Sequence, residues 1–320
     1  MVKEFSVFDT QKNLINKLQH KRIFLSGGTG FFGKWLLESF LYFNKAFKLN
    51  AAMTILSRNP KAYQLDRPGL KEETALTFIQ GDVRDFEFPP QKYDFVIHAA
   101  TEVDSGTRRM LDFAKKTGAS RFMITSSGAV YGPQPQAISH LPETYIGSPV
   151  TEYGKAKWAA EQMCVEAGNQ YGFSVLLPRC FTFVGPYMNL DIHFAIGNFI
   201  RDCLEGRPII IKGDGTTVRS YLYAADLAEW LWTILLRGAH AQVYNVGSAE
   251  GINIQDLAHR VRACAGTSNA IEILGTSVGG TGQERYVPSI ERASSELNLR
   301  PRYSLDEAIT RTLAWHRKGI

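Results

Sequence analysis

Six short apolar runs, rich in β-branched and aromatic residues, recur between Arg22 and Leu177, with amphipathic stretches between several of them. The runs are "RIFLSGG", "AAMTILSR", "LTFIQGD", "YDFVIHAA", "RFMITSS" and "FSVLLPR". The stretches between include "GKWLLESFLYF", "RRMLDFAKKTG" and "KAKWAAEQMCVEAG". Few folds accept that alternation. Strand, helix and strand in repetition call for parallel strands joined by right-handed crossovers, hence an α/β fold with a doubly wound parallel sheet.

Outside that region the pattern changes. "DTQKNLINKLQHK" reads as a short helix ahead of the first strand. After Arg179 come loops, one helix and a hairpin-like end at Gly213 to Gly215. "AADLAEWLWTILLRG" reads as a helix, "QVYNVGS" as a strand rejoining the main sheet, and "NIQDLAHRVRACAG" and "SLDEAITRTLAWHRK" as two further helices. With no repeat and no low-complexity linker, a second domain must be interleaved with the first. The expected division is an N-terminal helix over 1–20, a larger domain over 21–180 plus 217–248, and a smaller one over 181–216 plus 249–320.

Composition narrows the function classes. The 320 residues are 44% hydrophobic and 21% charged, as in a globular protein, and exceed a comfortable single core. A net charge of +5, spread along the chain, reads as a solvated surface rather than a nucleic-acid face. A local basic pocket for an anionic small molecule stays open. Cys164, Cys180, Cys203 and Cys264 lie far apart without a CxxC, which argues against disulfides and zinc and for a reducing compartment. The seven histidines do not cluster with acids at ligand spacings, so no metal site is expected. No run approaches the ~18 uninterrupted apolar residues of a membrane span, and Lys3, Glu4 and Asp9 do not make a secretory signal. The expectation is a cytoplasmic protein without membrane or nucleic-acid partners.

"FLSGGTGFFGKWLL" follows the first strand and opens a helix. Gly27, Gly30 and Gly33 permit a tight turn, a close backbone approach to a pyrophosphate, and close helix–strand packing. The phosphates then rest on the helix N-terminus beside Phe31 and Phe32, where free N–H groups favour negative charge. In this strand-turn-helix context the reading is a nucleotide-binding turn, and the bland account is a plain tight turn. Asp82 and Val83 in "GDVRD" stand where an adenine edge is read, although Asp82 alone is equally a turn residue. Ala99 and Ala100 close the fourth strand with room for a ribose or diphosphate. A site choosing NAD usually carries an acid at the end of the second strand. Ser57 and Arg58 stand there instead and lean the reading towards NADP, with NAD the alternative and a plain surface arginine the bland account.

"TEYGKAKWAAEQ" sets Tyr153 and Lys157 four apart on one helical face. A free phenol titrates near ~10, and a neighbouring ammonium favours its phenolate. Such a tyrosine can trade a proton with a sugar oxygen during redox chemistry at a nicotinamide. The bland account is a packing tyrosine beside a solvated lysine. "ITSSGAVYG" presents Ser127 to hold the reacting oxygen; Thr125 and Ser126 read as strand-end hydroxyls, with Ser126 a candidate assistant.

With the glycine turn, "GDV", "HAA", "TSSGAVYG" and "YGKAK" in this order, the chain resembles the extended short-chain dehydrogenase/reductases. More narrowly, it resembles the NAD-dependent epimerase/dehydratase family acting on nucleotide-activated sugars. "PRCFTFVGP", "RSYLYAADLAE" and "YNVGS" extend the resemblance over nearly the whole chain. It implies a Rossmann domain carrying the cofactor and a smaller domain gripping a nucleoside-diphosphate sugar, with Ser127, Tyr153 and Lys157 as catalytic residues, Tyr153 and Lys157 also at the cofactor, and Lys157 holding the nicotinamide ribose. Arg219 and, as a weaker match, Arg285 then meet the diphosphate, with Asn198 and Thr182 as further substrate contacts. Either arginine could equally be a surface ion-pair partner. It also implies a homodimer paired through "RRMLDFAKK" and "KWAAEQMCVEA", for which core packing is an equal account.

Three departures bear on the chemistry. Members that eliminate water or carbon dioxide usually carry an acid beside the catalytic serine or threonine; here Gly128 and Ala129 stand there. The stretches from "HAATEVD" to "SGTRRM" and ahead of Tyr153 are short for the family, and Thr182 replaces a frequent asparagine. The expected activity is an NAD(P)-dependent epimerase or 4-ketoreductase. A 4,6-dehydratase is disfavoured, and a non-catalytic cofactor-binding protein is the reading from another class.

Overall fold

The fold is that of a computed structural model, which describes residues 4–100, 104–192, 194–276 and 284–317. At the N-terminus two 3-10 segments, Ser6–Gln11 and Asn16–Leu18, flank one turn of α-helix, α1 (Lys12–Ile15). Then follow β1 (Arg22–Ser26), α2 (Phe31–Ala46), β2 (Ala52–Ser57), α3 (Pro60–Asp66), β3 (Leu76–Gln80), β4 (Phe95–His98) and α4 (Ser105–Thr117). Next come β5 (Arg121–Ile124), β6 (Ser126–Ser127), α5 (Glu152–Tyr171), β7 (Ser174–Cys180), β8 (Phe183–Val184), α6 (Ala195–Leu204) and β9 (Ile209–Ile211). The chain continues through β10 (Val218–Ser220), β11 (Leu222–Tyr223), α7 (Ala224–Arg237), β12 (Val243–Val246), β13 (Gly251–Asn253) and α8 (Ile254–Ala265). β14 (Ile271–Ile273), β15 (Arg285–Tyr286), α9 (Glu291–Leu297) and α10 (Leu305–Arg317) complete it.

The main sheet runs β12-β7-β5-β4-β1-β2-β3, and β6 pairs with β7. The pairings of β1 with β2 and β4, of β2 with β3, and of β5 with β4 and β7 are parallel. Every residue of β4 is buried, as is β1 beyond Arg22, which is why these strands read as continuous apolar runs rather than alternating ones. On one face Phe24 stacks on Phe86 at 5.4 Å and meets Phe113 of α4 at 4.4 Å. From β1 the chain winds outward to β2 and β3, then crosses to β4 and winds the other way. The strand order therefore reverses between β1 and β4, the place where open α/β sheets bind their ligands.

The chain forms two compact units, one of residues 1–130, 151–179 and 228–244, the other of 131–150, 180–227 and 245–320. This differs from the division expected from sequence at residues 131–150, 180, 217–227 and 245–248, and residues 1–20 belong to the first unit. In the second unit Leu141 N–H donates to Val287 O and Ser289 N–H to Leu141 O, both at 2.8 Å, and Tyr131 Oη donates to Asn245 Oδ1 at 2.8 Å. Those bonds bind an irregular segment to residues far along the chain. β10 likewise joins β13 and β15 in a three-stranded sheet, and β11 pairs with β8.

The hairpin expected at Gly213 to Gly215 does not form. The isoleucines of β9 pair in parallel with β14, whose Ile271 and Ile273 stand opposite Ile209 and Ile211. The N-terminal segment is helical but mixed in type, because it lies on a bed of aromatic rings. Phe5 meets Trp35 edge-on at 5.8 Å, Phe8 meets Phe43 at 4.3 Å, and Phe5, Phe8, Ile15 and Leu18 are all buried.

Candidate active site

The turn after β1 is the first element of the site. Gly27 has φ +74°, a conformation that side chains other than glycine's rarely adopt. A Cβ there would lie 2.6 Å from the backbone of both Ala99 and Ala100. A Cβ on Gly33, in the first turn of α2, would lie 2.3 Å from Gly27 O and Gly28 Cα. The glycine turn and the Ala99–Ala100 strand end are therefore in direct contact across the crevice between β1 and β4. Gly30 is the N-cap of α2 and makes no side-chain cap bond, so this helix terminus keeps backbone donors for an anion. Phe31 and Phe32, half-buried, begin the same helix. Beneath the turn, buried His98 meets Ser26 Oγ at 2.8 Å through Nδ1 and Thr107 Oγ1 at 3.2 Å through Nε2. These residues fit a dinucleotide: a backbone cradle, a helix N-terminus and small strand-end residues at one switch point.

At the end of β2, Ser57 is buried and Arg58 exposed. Ser57 Oγ lies 3.2 Å from Thr29 Oγ1 of the glycine turn, which ties the second strand end to the first. Val83 is buried. Asp82 is engaged by Arg84, whose backbone N–H, Nε and Nη2 donate to it at 3.0, 2.8 and 2.9 Å. Arg84's hydrogen bonds, helped by Arg58's charge, hold the Asp82 carboxyl down at about 2. Asp82 thus serves the turn.

The second element is the start of α5. Thr151 Oγ1 accepts the Gly154 N–H at 3.0 Å and caps the helix, so Tyr153 falls in its first turn. Tyr153 is 48% exposed and Lys157, one turn on, only 3%. Lys157 Nζ donates to Thr125 O at 2.8 Å and sits 5.9 Å from the centre of the Tyr153 ring. Ser127 Oγ accepts the Ala129 N–H at 3.2 Å, which leaves the hydroxyl proton to be donated elsewhere. Gly128 is buried and Ala129 half-buried; neither brings a carboxylate. The Ser126 hydroxyl donates to Glu161 Oε1.

Glu161 and Arg179 are the residues that sequence reasoning missed. Arg179 Nε and Nη2 donate to Glu161 Oε1 and Oε2 at 2.9 and 2.7 Å, with Glu161 only 1% exposed. The available signals were an acid one turn past Lys157 and an arginine ending the apolar run "FSVLLPR".

The second unit holds the remaining candidates. Arg219 Nη2 pairs with Glu284 Oε1 at 2.5 Å, and its guanidinium lies 5.7 Å from the Tyr286 ring centre. In the pairing of β10 with β15, Arg219 stands opposite Tyr286 and Arg285 opposite Val218. Strand alternation then sends the two arginines to opposite faces of this small sheet rather than into one fork. Arg285 Nε is shielded from solvent and has no hydrogen-bond partner among the described residues. Thr182 Oγ1 donates to Ser220 O, and the Asn198 amide donates to Leu190 O and Ile192 O at 2.8 Å each. Both side chains are thus occupied with backbone. Among the described residues no three His, Cys, Asp or Glu gather to hold a metal ion, and no helix is long and apolar enough to cross a membrane.

Residues 23–247 match the NAD dependent epimerase/dehydratase family. The chain belongs to that family. This member is 30% identical to UDP-glucuronic acid decarboxylase 1 of Arabidopsis thaliana, over 93% of this chain and 70% of that protein. It is 25% identical to dTDP-D-glucose 4,6-dehydratase of Mus musculus, over 94% of this chain and 90% of the relative. Among solved structures it resembles UDP-glucuronic acid 4-epimerase from Bacillus cereus with UDP-glucuronic acid and NAD, at a TM-score of 0.79 and 21% identity, covering 93% of this chain and all of the other. The likeness confirms the Rossmann-type α/β fold. As a family member the chain is an enzyme of the extended short-chain dehydrogenase/reductase type, with NAD as the family's cofactor.

Proposed function

We propose that this enzyme acts on a nucleoside-diphosphate sugar as an epimerase or 4-ketoreductase, with redox chemistry at one sugar carbon and no elimination. The observation that carries the reading is Lys157 beside the Tyr153 ring and anchored on Thr125, two residues ahead of Ser127, after which Gly128 and Ala129 offer no acid. When bound, the nicotinamide supplies hydride acceptance or donation. Tyr153 takes the proton from the sugar hydroxyl, or returns it to the carbonyl oxygen. Lys157, anchored on Thr125 O, sets a positive charge beside the phenol, and the N-terminal end of α5 adds a dipole of the same sign. Ser127 donates to the same sugar oxygen, because its own acceptor site is taken by Ala129 N–H. Gly27, Gly30 and Gly33, with Ala99 and Ala100, hold the diphosphate of the dinucleotide. The Ser57–Arg58 strand end supports NADP and hence the reductase. Arg219 exchanges Glu284 for the substrate's diphosphate, while Arg285 on the opposite face of its sheet, and Asn198 and Thr182 held on backbone, support the binding unit. The reading includes a homodimer paired through α4 and α5, since α5 leaves Trp158 48% exposed.

A second reading, elimination of water or carbon dioxide, draws on the names of the two relatives. One experiment separates the readings. The protein is incubated with UDP-glucuronic acid or dTDP-glucose and NAD, and separately with a 4-keto nucleotide sugar and NADPH, and products are weighed by mass spectrometry. An epimerase leaves the mass unchanged, a reductase acting on a 4-keto sugar adds two hydrogens, and elimination removes water or carbon dioxide. Loss of water or carbon dioxide would overturn the proposal. Conversion that disappears in Tyr153→Phe rules out a non-catalytic role, and the nucleotide released on denaturation, NAD or NADP, tests the cofactor.

A further inference from the structure

Tyr153, Lys157 and Glu161 follow one another at intervals of four along α5, on one stripe of the helix. Tyr153 opens to solvent while Lys157 and Glu161 are buried. A carboxylate enclosed this way needs a matched partner, since breaking a buried pair leaves an uncompensated charge. Glu161 has its match in the two-pronged contact with Arg179 of β7, and it also accepts the hydroxyl of Ser126 in β6. β6 and β7 are themselves paired. One carboxylate therefore joins α5 to two adjacent strands.

The turn before repeats the device with the opposite charge, as Lys157 Nζ donates to Thr125 O. Two successive turns of α5 thus grip two successive residues, Thr125 and Ser126, immediately ahead of Ser127. Along an extended chain side chains alternate, so a Ser126 hydroxyl turned towards Glu161 directs the Ser127 hydroxyl the other way. Apolar contact would hold α5 against the sheet just as firmly but would not specify its rotation or its height. A fork between guanidinium and carboxylate has direction.

We infer that Glu161, clamped by Arg179, is a positioning residue that fixes Ser126 and through it the aim of the Ser127 hydroxyl and the seat of Lys157. The inference rests on the assignment of Ser127, Tyr153 and Lys157 proposed above. Neither Glu161 nor Arg179 touches the substrate in this scheme. Their effect falls on turnover, not on substrate affinity.

The test uses the full chain and whichever of UDP-glucuronic acid or dTDP-glucose is turned over. Ser126→Ala removes one hydroxyl without disturbing the ion pair. Its kcat is expected to fall about 10-fold from misalignment of the reacting groups, with KM and the thermal unfolding midpoint unchanged. Glu161→Leu combined with Arg179→Met replaces the pair by apolar groups, an exchange that buried ion pairs often tolerate. Its kcat is expected to fall on the order of 10²-fold with KM within a factor of about two and the unfolding midpoint retained. In a Ser127→Ala background the Ser126→Ala loss should largely vanish, because both changes act through one hydroxyl. A kcat unchanged in Ser126→Ala, or losses that multiply fully with Ser127→Ala, would overturn the inference, whether or not the double replacement folds. Turnover that survives Tyr153→Phe would instead remove the catalytic assignment, and this inference with it.

Discussion

Two cations assigned to the reaction, Lys157 in the first unit and Arg219 in the second, have opposite surroundings. Lys157 is enclosed, its ammonium on a backbone carbonyl and its helix pinned one turn further by Glu161 and Arg179. Arg219 is half-buried and its partner, the Glu284 carboxylate, is 69% exposed. A lysine bonded to backbone inside a core has nowhere else to go. An arginine facing a solvated carboxylate gives it up for a diphosphate at small cost, since exposed ion pairs are worth about 0–1 kcal/mol. The contrast separates two tasks: fixed charge for the chemical step, exchangeable charge for capture.

The contrast makes its largest prediction at Lys157. Lys157→Met should lower kcat by on the order of 10²–10⁴, the usual contribution of proton transfer, while leaving KM close to its original value. A loss confined to KM would break the comparison. At Arg219 the pattern should invert. Arg219→Ala should raise KM about 10–100-fold, the worth of a charge-assisted hydrogen bond, with kcat changed much less; steady-state kinetics on the same substrate read both. Glu284→Gln sharpens the point, because removing the competing carboxylate should lower KM about 2–5-fold. A higher KM would mean that Glu284 orients Arg219 rather than occupying it.

The smallest effect concerns a half-buried carboxylate not clamped by an arginine fork. Glu143 accepts the Asn245 N–H at 2.9 Å, yet burial raises its carboxyl above the usual range. With the folded value above the unfolded one, its stabilising contribution is complete below about 4.3 and lost as pH rises through the folded value. Glu143→Gln should therefore match the parent at pH 4 and unfold at a higher temperature at pH 7. Equal midpoints at pH 7 would show that the Asn245 bond already offsets burial.

The sheet was legible because both sources of order are local. Each strand is a short apolar run, each crossover an amphipathic stretch, and the glycine turn announces itself by spacing. Tyr153 and Lys157 were legible for the same reason, as four residues on a helix fix a common face. What escaped depends on distant partners. Nothing near Ser126 in the chain says that its hydroxyl belongs to Glu161, and nothing near Ile209 says that its strand pairs with Ile271. The segment 131–150 has no periodicity, so its attachment to Asn245 and Val287 could not be read. Arg219 and Arg285 look like one fork in sequence, and only the register of β10 against β15 turns them to opposite faces.

The N-terminal segment ahead of β1 has a practical meaning for anyone handling the molecule. A version trimmed to begin at Lys21, just ahead of β1, would strip Phe5 from Trp35 and Phe8 from Phe43, remove the buried Ile15 and Leu18, and leave a greasy aromatic surface open to self-association. Lys17, which donates to Leu236 O, and Gln11, which donates to Glu229, would go with it, unfastening the backbone end of α7 and a buried acid within it. The safe boundary for trimming therefore lies before Glu4, even though the cofactor-binding pattern begins at Arg22.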